Sequence, residues 1–482
     1  MTDLAFCSAG ELAAAVATKE VSSVELLDYY LTRVDQFGPQ VNAIIARDEE
    51  TAKAAAREAD RKTSGGESLG PLHGVPVTIK DSLEVAGMRT TGGSERWGHH
   101  VSTTDAEAVA RLKNAGAIVF GKSNLPADAR DWQTYNEIYG TTNNPWDLTR
   151  GPGGSSGGSA AALAAGLTGL ELGGDTAGSI RVPAHFCGIY GLRPSFGIVP
   201  RQGSVSGHAP GSLAEFDMAV LGPLGRHADD LDLGLDLLAG PDRDNAPAWR
   251  LNLPRSRAGN LREFRVAAWI DDPFCPVDRE LVAVMEATLA AVRSEGTMVV
   301  ERGGPIGLEE TMALYQPLLM AQSGLVEPEE SYTGLVELAA AEGISGGFGS
   351  DLTVRFRAWH ALDERRQHSR RRWNEFFRDI DVLVCPVSPT AAFPHDQRPD
   401  PGWSVRTLRV DGSDRPYREM LTWMAPSALN HLPAAVAPIG TTRDGLPIGI
   451  QVIAPYLHDR TAVRFVQCLA EVVGGFRRPP GF

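Results

Sequence analysis

The chain has 482 residues, of which 43% are apolar and 22% are charged, and its formal net charge at pH 7 is −14. This length and composition are typical of a globular protein with a sizeable core. The negative charge argues against nucleic acid or an anionic membrane as the usual partner, and no apolar run approaches the length of a membrane span.

The cysteines argue for a reducing compartment and against a structural metal site. They are odd in number, far apart and form no CxxC pair. We therefore expect reduced thiols, no bound metal and no redox motif. The first residues carry no basic region ahead of an apolar run, so we expect a cytoplasmic protein without a signal peptide. The five cysteines are Cys7, Cys187, Cys275, Cys385 and Cys468.

The chain is predicted to begin with helices, up to about residue 64. Val24, Leu27 and Leu31 recur at helical spacing, and Ser22 with Glu25 forms a capping box ahead of them. The polar, alanine-rich stretch EETAKAAAREADRK predicts a second helix.

Strands and helices are then predicted to alternate. GVPVTIKDS and AIVFGKSN read as buried strands, separated by a helix capped from Thr104 to Glu107. The glycine-rich region 151–181 contains an alanine helix, GSAAALAAGL, and a strand, TGLELGG. Such alternation predicts a largely parallel sheet covered by helices, that is, an α/β fold.

The second half repeats the same unit and ends in strands. FRVAAWI, a helix near 279–295 and TMVVE come first, and residues 306–378 are predicted to be mostly helical and to cover the site. The strands DVLVCPV, PAAVAPIG and GIQVIAP follow, the last two forming a hairpin around Asp444 and Gly445, and the helix TAVRFVQCLAEVV ends the pattern. No long linker interrupts it, so we expect a single large domain.

The stretch GPGGSSGGS, residues 151–159, excludes two nucleotide-binding motifs. Ser159 stands where a phosphate-binding loop needs lysine, and G-x-G-x-x-G fails in every register. Gly153, Ser155 and Gly157 do match G-x-S-x-G, but that elbow requires a strand directly before it, and NNPWDLTRGP indicates a loop. The histidines available to such a triad are His185, His208, His227 and His431.

Lys80 is an unusual cation for this chain, in which only six lysines stand among 46 basic residues. It ends the apolar stretch GVPVTIK, where burial would favour the neutral amine, whereas arginine does not lose its proton in proteins. Lys80 is therefore a candidate base. The stretch fits equally well a lysine that reaches out to solvent or pairs with Asp81.

Two serines are placed to work with such a base. Hydrolysis by a serine nucleophile without histidine needs another base and a group that relays the proton. Ser155 and Ser179 are separated by one helix and one strand, so the chain is expected to bring both to the same end of the sheet. Pro183 suits the first turn of a helix and puts Ser179 near its N-terminus, where negative charge is stabilised. An oxyanion hole is predicted from the backbone N–H groups of Thr176, Ala177, Gly178 and Ser179.

Residues 153–195 resemble the serine- and glycine-rich signature of the amidase signature family. PLHGVPVTIKDS is similar to the lysine strand of that family, and GTTNNPWD and GLPIGIQVIAP match further segments. The resemblance covers most of the chain and is weakest between about 240 and 380. It implies a central, mostly parallel mixed sheet with helices on both faces.

The resemblance also implies a Ser–cis-Ser–Lys triad that needs no cofactor. Lys80 would be the neutral base, Ser155 the relay serine after a cis peptide, and Ser179 the nucleophile. Ser156 and Asp175 match positions that support the loops, and Arg181 matches a structural arginine. One departure is Ala177–Gly178 where the family usually has two glycines, so the oxyanion loop is expected to differ slightly in shape.

The implied organisation is one domain over residues 1–482, in four segments. These are N-terminal helices (1–64), a catalytic core (65–240), a variable, mostly helical cover (241–380) and C-terminal strands with a helix (381–482). We expect a monomer or homodimer with a small-molecule substrate.

The expected substrate is an uncharged alkyl or aryl amide, with carbamates and esters open to the same chemistry. A largely apolar pocket is predicted from Trp132, Tyr135, Tyr139, Tyr315, Met320, Trp423 and Met424. Two other functions remain open: an amidotransferase component supplying ammonia to a tRNA-dependent partner, and a non-catalytic binding protein on the same scaffold.

Overall fold

The computed structural model describes residues 3–67, 69–205, 207, 209–325, 327–342, 348–399 and 403–482. His208 lies outside the described residues. The strands of the structure are β1 (Ile44–Arg47), β2 (Pro76–Lys80), β3 (Ile118–Ser123), β4 (Tyr135–Asn136), β5 (Gly140–Thr141), β6 (Glu171–Asp175), β7 (Tyr190–Arg193), β8 (Val220–Gly225), β9 (Arg265–Ala268), β10 (Met298–Glu301), β11 (Val382–Pro386), β12 (Thr407–Val410), β13 (Ser413–Pro416), β14 (Ala434–Thr441) and β15 (Pro447–Ile453).

The helices alternate with these strands over much of the chain. They are α1 (Ala9–Ala17), α2 (Ser23–Val41), α3 (Glu49–Gly65), α4 (Glu107–Asn114), α5 (Gly157–Ala164), α6 (Arg181–Cys187), α7 (Ala228–Leu238), α8 (Arg279–Ser294), α9 (Leu308–Gly324), α10 (Glu329–Glu342), α11 (Phe348–Leu352), α12 (Phe356–Phe376), α13 (Ala425–Leu429) and α14 (Asp459–Val473). Within the described residues, no helix combines the length and apolar character needed to cross a membrane.

The fold is a single α/β domain built on one mixed sheet. Among the described residues the sheet has eleven strands, in the order β1-β3-β2-β6-β8-β7-β14-β15-β11-β9-β10. Parallel pairing occupies the two flanks, β3-β2-β6 and β11-β9-β10. The pairings from β6 through β8, β7, β14 and β15 to β11, and that of β1 with β3, are antiparallel. The parallel share is thus smaller than the strand–helix alternation predicts, because hairpins and returning strands fill the centre.

Helices cover both faces of the sheet, as predicted. Gln451 of β15 accepts a hydrogen bond from Arg181 of α6, so the face of the sheet that carries the Gln451 side chain lies against α6. Its neighbours Ile450 and Val452 point to the opposite face because side chains alternate along a strand. Helix α8 lies on that second face, since a Cβ on Gly440, which pairs with Ile448 across the hairpin, would lie 2.9 Å from Val284 of α8. Helix α14 also packs against β14 and β15.

Local signals placed most elements correctly. The capping box of Ser22 and Glu25 is present at the start of α2, and β14 and β15 form the predicted antiparallel hairpin. The predicted cap at Thr104 is wrong: α4 is preceded by Ala106 and has no side-chain cap. There the backbone of Ala106 instead pairs with Glu84, its N–H donating to the Glu84 carbonyl.

Candidate active site

Lys80 ends strand β2 in the interior of the protein, with 1% of its surface exposed. It neither reaches solvent nor pairs with Asp81, whose partner is Lys122 at 3.1 Å. Its Nζ lies 2.6 Å from Ser155 Oγ and 3.0 Å from Ser156 Oγ. Burial lowers the pKa of Lys80 to about 7, against a smaller upward effect of Asp175 and Glu171. The amine is therefore neutral in a large share of molecules at neutral pH.

Ser155 and Ser156 lie in the loop that leads into helix α5. The peptide between Gly154 and Ser155 is cis, as the resemblance implied, and no strand directly precedes the loop, so the hydrolase elbow does not form. Gly173 of β6 permits the close approach of this loop, since a Cβ there would lie 2.9 Å from Ser156 Oγ. The loop therefore sits directly on the strand face that carries Lys80.

Glu171 is a buried acid on the same strand face, and no motif in the sequence drew attention to it. It accepts hydrogen bonds from Thr78 and from Ser123, and Ser123 also contacts Ser159 of α5 at 2.8 Å. Burial raises the pKa of Glu171 to about 7 against those hydrogen bonds. The available signal was a lone acid within the apolar strand stretch TGLELGG.

Asp175 anchors the loop that carries Ser179. Its carboxylate pairs with Arg181 at 2.8 Å and Arg193 at 3.4 Å, all three side chains being fully buried. Burial alone would raise the pKa of Asp175, but the charges of the two arginines outweigh it and hold that pKa below its usual range. The family resemblance implies a loop-supporting position for Asp175 and a structural one for Arg181, whereas sequence reasoning did not identify Arg193.

Asp175→Asn is expected to lower the free energy of unfolding by about 3–5 kcal/mol, because removing one partner leaves buried cations uncompensated. Urea unfolding at pH 7 measures this. The control is Asp35→Asn, whose ion pair with Arg47 involves an aspartate side chain that is 67% exposed and is worth about 1 kcal/mol or less. Equal effects of the two substitutions would contradict a structural role for Asp175.

The carbonyl groups of the loop from Asp175 to Ser179 are all held from outside. Arg193 donates to the Asp175 carbonyl at 2.8 Å and the Tyr315 hydroxyl to that of Thr176 at 3.2 Å. Trp132 Nε1 donates to the Ala177 carbonyl at 2.9 Å. The N–H groups of Val182 and Ser156 donate to the carbonyls of Gly178 and Ser179.

These anchors determine where the N–H groups point, because the N–H and C=O of a trans peptide point in opposite directions. The N–H groups of Thr176, Ala177 and Ser179 have no acceptor among the described residues, and all three residues line one cavity. The predicted role of Gly178 N–H as an oxyanion donor does not fit the structure. This N–H donates to Asp175 Oδ1 at 3.0 Å, and Gly178 does not line the cavity. Three of the four predicted oxyanion donors therefore remain available.

The departure at Ala177 is accommodated by Gly178. Ala177 is not among the residues with positive φ, whereas Gly178 has φ +96°. A Cβ on Gly178 would also lie 2.7 Å from Met424 Cγ. The conformation that only glycine adopts easily is thus confined to Gly178.

Ser179 is half-buried and lines the same cavity as Lys80 and Ser155. Its Oγ makes no hydrogen bond with the described part of the chain, and its carbonyl accepts from Ser156 N–H at 3.0 Å. No described histidine lines this cavity. Both ring nitrogens of His185 are occupied by backbone groups, and burial lowers the pKa of His185 to about 4.

The cavity has a volume of about 340 Å³, and its wall combines an apolar part with charged and polar side chains, so the largely apolar pocket that was predicted is only partly present. Trp132 and Met320 line it as predicted, together with residues that the sequence did not single out. Those further apolar residues are Phe216, Val220, Leu221, Leu319, Leu352 and Trp403.

Five predicted pocket residues do not line the cavity. Tyr135 accepts a hydrogen bond from Arg406 at 2.7 Å, and Tyr139 lies under Arg89. Trp423 packs against Trp269. Tyr315 and Met424 lie behind the oxyanion loop, which they support. Helical spacing does not reveal which neighbour an aromatic side chain meets, and these five side chains meet other parts of the protein.

Comparison with known proteins finds similarity over nearly the whole chain. A family profile described as Amidase matches residues 25–463. The chain is 35% identical over 488 residues to an acylamidase of Rhodococcus erythropolis, covering 96% of this chain and 95% of the relative. It is 33% identical to one of the subunits of the glutamyl-tRNA(Gln) amidotransferase of a Roseiflexus species, covering 96% and 95%. A crystal structure of an amidase superimposes with a TM-score of 0.79 at 26% identity, covering 97% of this chain and 100% of that one.

Proposed function

The chain belongs to the amidase family, and from this premise we propose that it hydrolyses the C–N bond of uncharged amides through an acyl-enzyme on Ser179. The observation that carries the proposal is the 2.6 Å contact of the buried Lys80 Nζ with Ser155 Oγ. A buried amine that is neutral near pH 7 can accept a proton from a hydroxyl, and the base needs no imidazole.

The proposed acylation begins when neutral Lys80 accepts the Ser155 proton and Ser155 accepts that of Ser179. Ser179 Oγ attacks the substrate carbonyl carbon, and the oxyanion accepts hydrogen bonds from the N–H groups of Thr176, Ala177 and Ser179. A donor of this kind typically contributes about 3–4 kcal/mol to transition-state stabilisation. Ser155 then protonates the departing nitrogen and takes back the proton that Lys80 holds. The C–N bond breaks, the amine leaves, and Lys80 is neutral again.

Deacylation uses the same groups in the same roles. A water molecule takes the place of the amine, and its proton passes through Ser155 to Lys80 as it attacks the acyl carbon. The second oxyanion is stabilised at the same N–H groups. Its collapse breaks the bond to Ser179 Oγ and releases the acid, while the proton held by Lys80 returns through Ser155 to Ser179 Oγ.

The apolar part of the wall, which includes Trp132, Met320 and Leu319, supports alkyl or aryl amides as the substrate class. Carbamates and esters are an extension, because each offers a carbonyl and a leaving heteroatom. The test is a panel of amide, carbamate and ester analogues with the same alkyl or aryl groups, each paired with an ammonium-bearing counterpart. We expect higher kcat/KM for the neutral members and an acyl mass increment on the Ser179 peptide after rapid quenching. Faster turnover of the ammonium-bearing members, or an acyl group on another residue, would contradict the proposal.

A second candidate function is that of an amidotransferase component supplying ammonia to a partner. The observation that favours it is the 33% identity to the glutamyl-tRNA(Gln) amidotransferase polypeptide of the Roseiflexus species. A second protein that co-purifies in equal amount, with glutamine turnover dependent on it, would establish this function in place of the first. Turnover of the amide panel by the isolated chain would exclude that dependence.

A further inference from the structure

Arg201 is one of three cations in the wall of the cavity that contains Ser179, together with Lys80 and Arg130. It is only 8% exposed. The segment that follows Arg201 lies beside the residues after β2. Val205 N–H donates to the Ser82 carbonyl at 2.8 Å, and Ser204 forms an antiparallel β-bridge with Leu83. Lys80, which ends β2, and Arg201 line the same cavity.

The hydrogen-bonding capacity of Arg201 is largely unused. Its Nη1 makes one long contact, 3.4 Å, with the Phe216 carbonyl, and its Nε has no partner. Within the described residues it forms no ion pair. Among the described residues that line the cavity, no other has a buried side-chain nitrogen or oxygen without a partner.

The other buried arginines are satisfied in a different way. Each of the six others in the described chain donates to a carboxylate or to at least two backbone carbonyls. They are Arg33, Arg181, Arg193, Arg226, Arg366 and Arg406. Arg201 therefore differs from them because neither kind of partner is provided by the described residues.

The carboxylates in the cavity wall are already committed to other arginines. Asp128 pairs with Arg96, Asp131 with Arg406, Glu327 with Arg130, and Asp175 with Arg181 and Arg193. Burial lowers the pKa of Arg201 to about 10 against the opposing effect of Glu215, so the guanidinium stays charged at neutral pH. A buried charge without a partner is costly, and an acceptor brought by a ligand would relieve that cost.

We propose that Arg201 is a specificity-determining residue that donates to an oxygen acceptor on the substrate, separate from the scissile carbonyl. In an uncharged amide this acceptor is a carbonyl oxygen. A carboxylate, which the planar guanidinium fork matches with two hydrogen bonds, is the alternative that the test distinguishes. This inference rests on the proposed function and adds to it: the substrate has an apolar body and one such acceptor.

The test compares Arg201→Met with wild type on matched amides that end in methyl, carboxamide or carboxylate. Two series place this group on the acyl side and on the amine side. The readout is the ratio of kcat/KM for each acceptor substrate to that for its methyl analogue, and comparing this ratio between enzymes cancels intrinsic reactivity. In at least one series we expect the ratio to fall about 10- to 100-fold in Arg201→Met, the usual worth of a hydrogen bond to a charged group.

Arg130→Met is the matched control, because Arg130 lines the same cavity but is paired with Glu327. Its ratios should change less than about threefold. Thermal unfolding checks the folding of each variant, and Arg201→Gln replaces Arg201→Met if that variant does not fold. Unchanged ratios in the Arg201 variant, in both series, overturn the proposal.

The two proposals fail in different ways. If wild type turns over none of the methyl amides or their acceptor analogues, the proposed hydrolysis itself is wrong. If it turns over the carboxylate members best and Arg201→Met abolishes that preference, the role of Arg201 stands and the substrate class changes from uncharged to anionic amides.

Discussion

Ser179→Ala is expected to lower kcat by about 10⁴- to 10⁶-fold, the range found when the nucleophile of a serine hydrolase is removed. The backbone N–H groups at positions 176, 177 and 179 are all retained and can still polarise a bound carbonyl, so a small residual rate is expected, but no acyl-enzyme. The measurement is steady-state turnover of the best neutral amide at pH 8, with labelling by a fluorophosphonate probe as a second readout.

Ser323→Ala is the control for probe labelling, because Ser323 lines the same cavity and is assigned no part in the relay. Labelling should be lost in Ser179→Ala and persist in Ser323→Ala. If Ser179→Ala still reacts with the probe, the nucleophile is another residue. If wild type is not labelled at all and turns over no amide, the non-catalytic interpretation of this scaffold is correct.

The pH dependence of kcat/KM is expected to report the ionisation of Lys80. Its pKa is lowered to about 7, so the amine is protonated and inactive as a base below that pH and neutral above it. Activity in wild type should therefore fall about tenfold for each pH unit below 7 and level off above it. An ordinary lysine, with a pKa near 10.4, would place this limb more than three units higher.

Lys80→Arg is expected to reduce kcat by about 10²- to 10⁴-fold and to remove the acid limb near pH 7, since a guanidinium keeps its proton at every working pH. Lys113→Met is the control, because Lys113 belongs to α4 and pairs with Asp105; its profile should match wild type. A profile in Lys80→Arg that keeps the same acid limb would assign that limb to another group, such as Glu171.

Local patterns in the sequence carried much of the fold and the centre of the candidate site. Lys80 could be singled out because it is an ionisable residue in a stretch whose apolar neighbours predict burial, and burial favours the neutral amine. Ser155 and Ser179 followed from glycine-rich loops flanking one helix and one strand. Those signals depend on neighbours in sequence, which is why they were visible without coordinates.

What the sequence did not reveal depends on contacts between distant segments. The antiparallel centre of the sheet comes from pairings such as β7 with β14, and no local pattern records them. The engagement of Gly178 N–H by Asp175 depends on how the loop folds back on its own strand. Arg201 could not be identified because its distinguishing property is the partner it lacks, which is known only once its surroundings are known.

The contacts of Asp175 and Arg181 are expected to make the loop of residues 175–179 form late in folding. Arg181 joins Asp175 to Ser427 and to Gln451 at 2.7 Å, across 270 positions of chain in the second case. Contacts of such long range form slowly, because a large loop must close first. During synthesis, residues 175–179 are therefore made well before Ser427 and Gln451, the residues that hold Arg181. The loop is expected to reach its final shape only after β14 and β15 have joined the sheet.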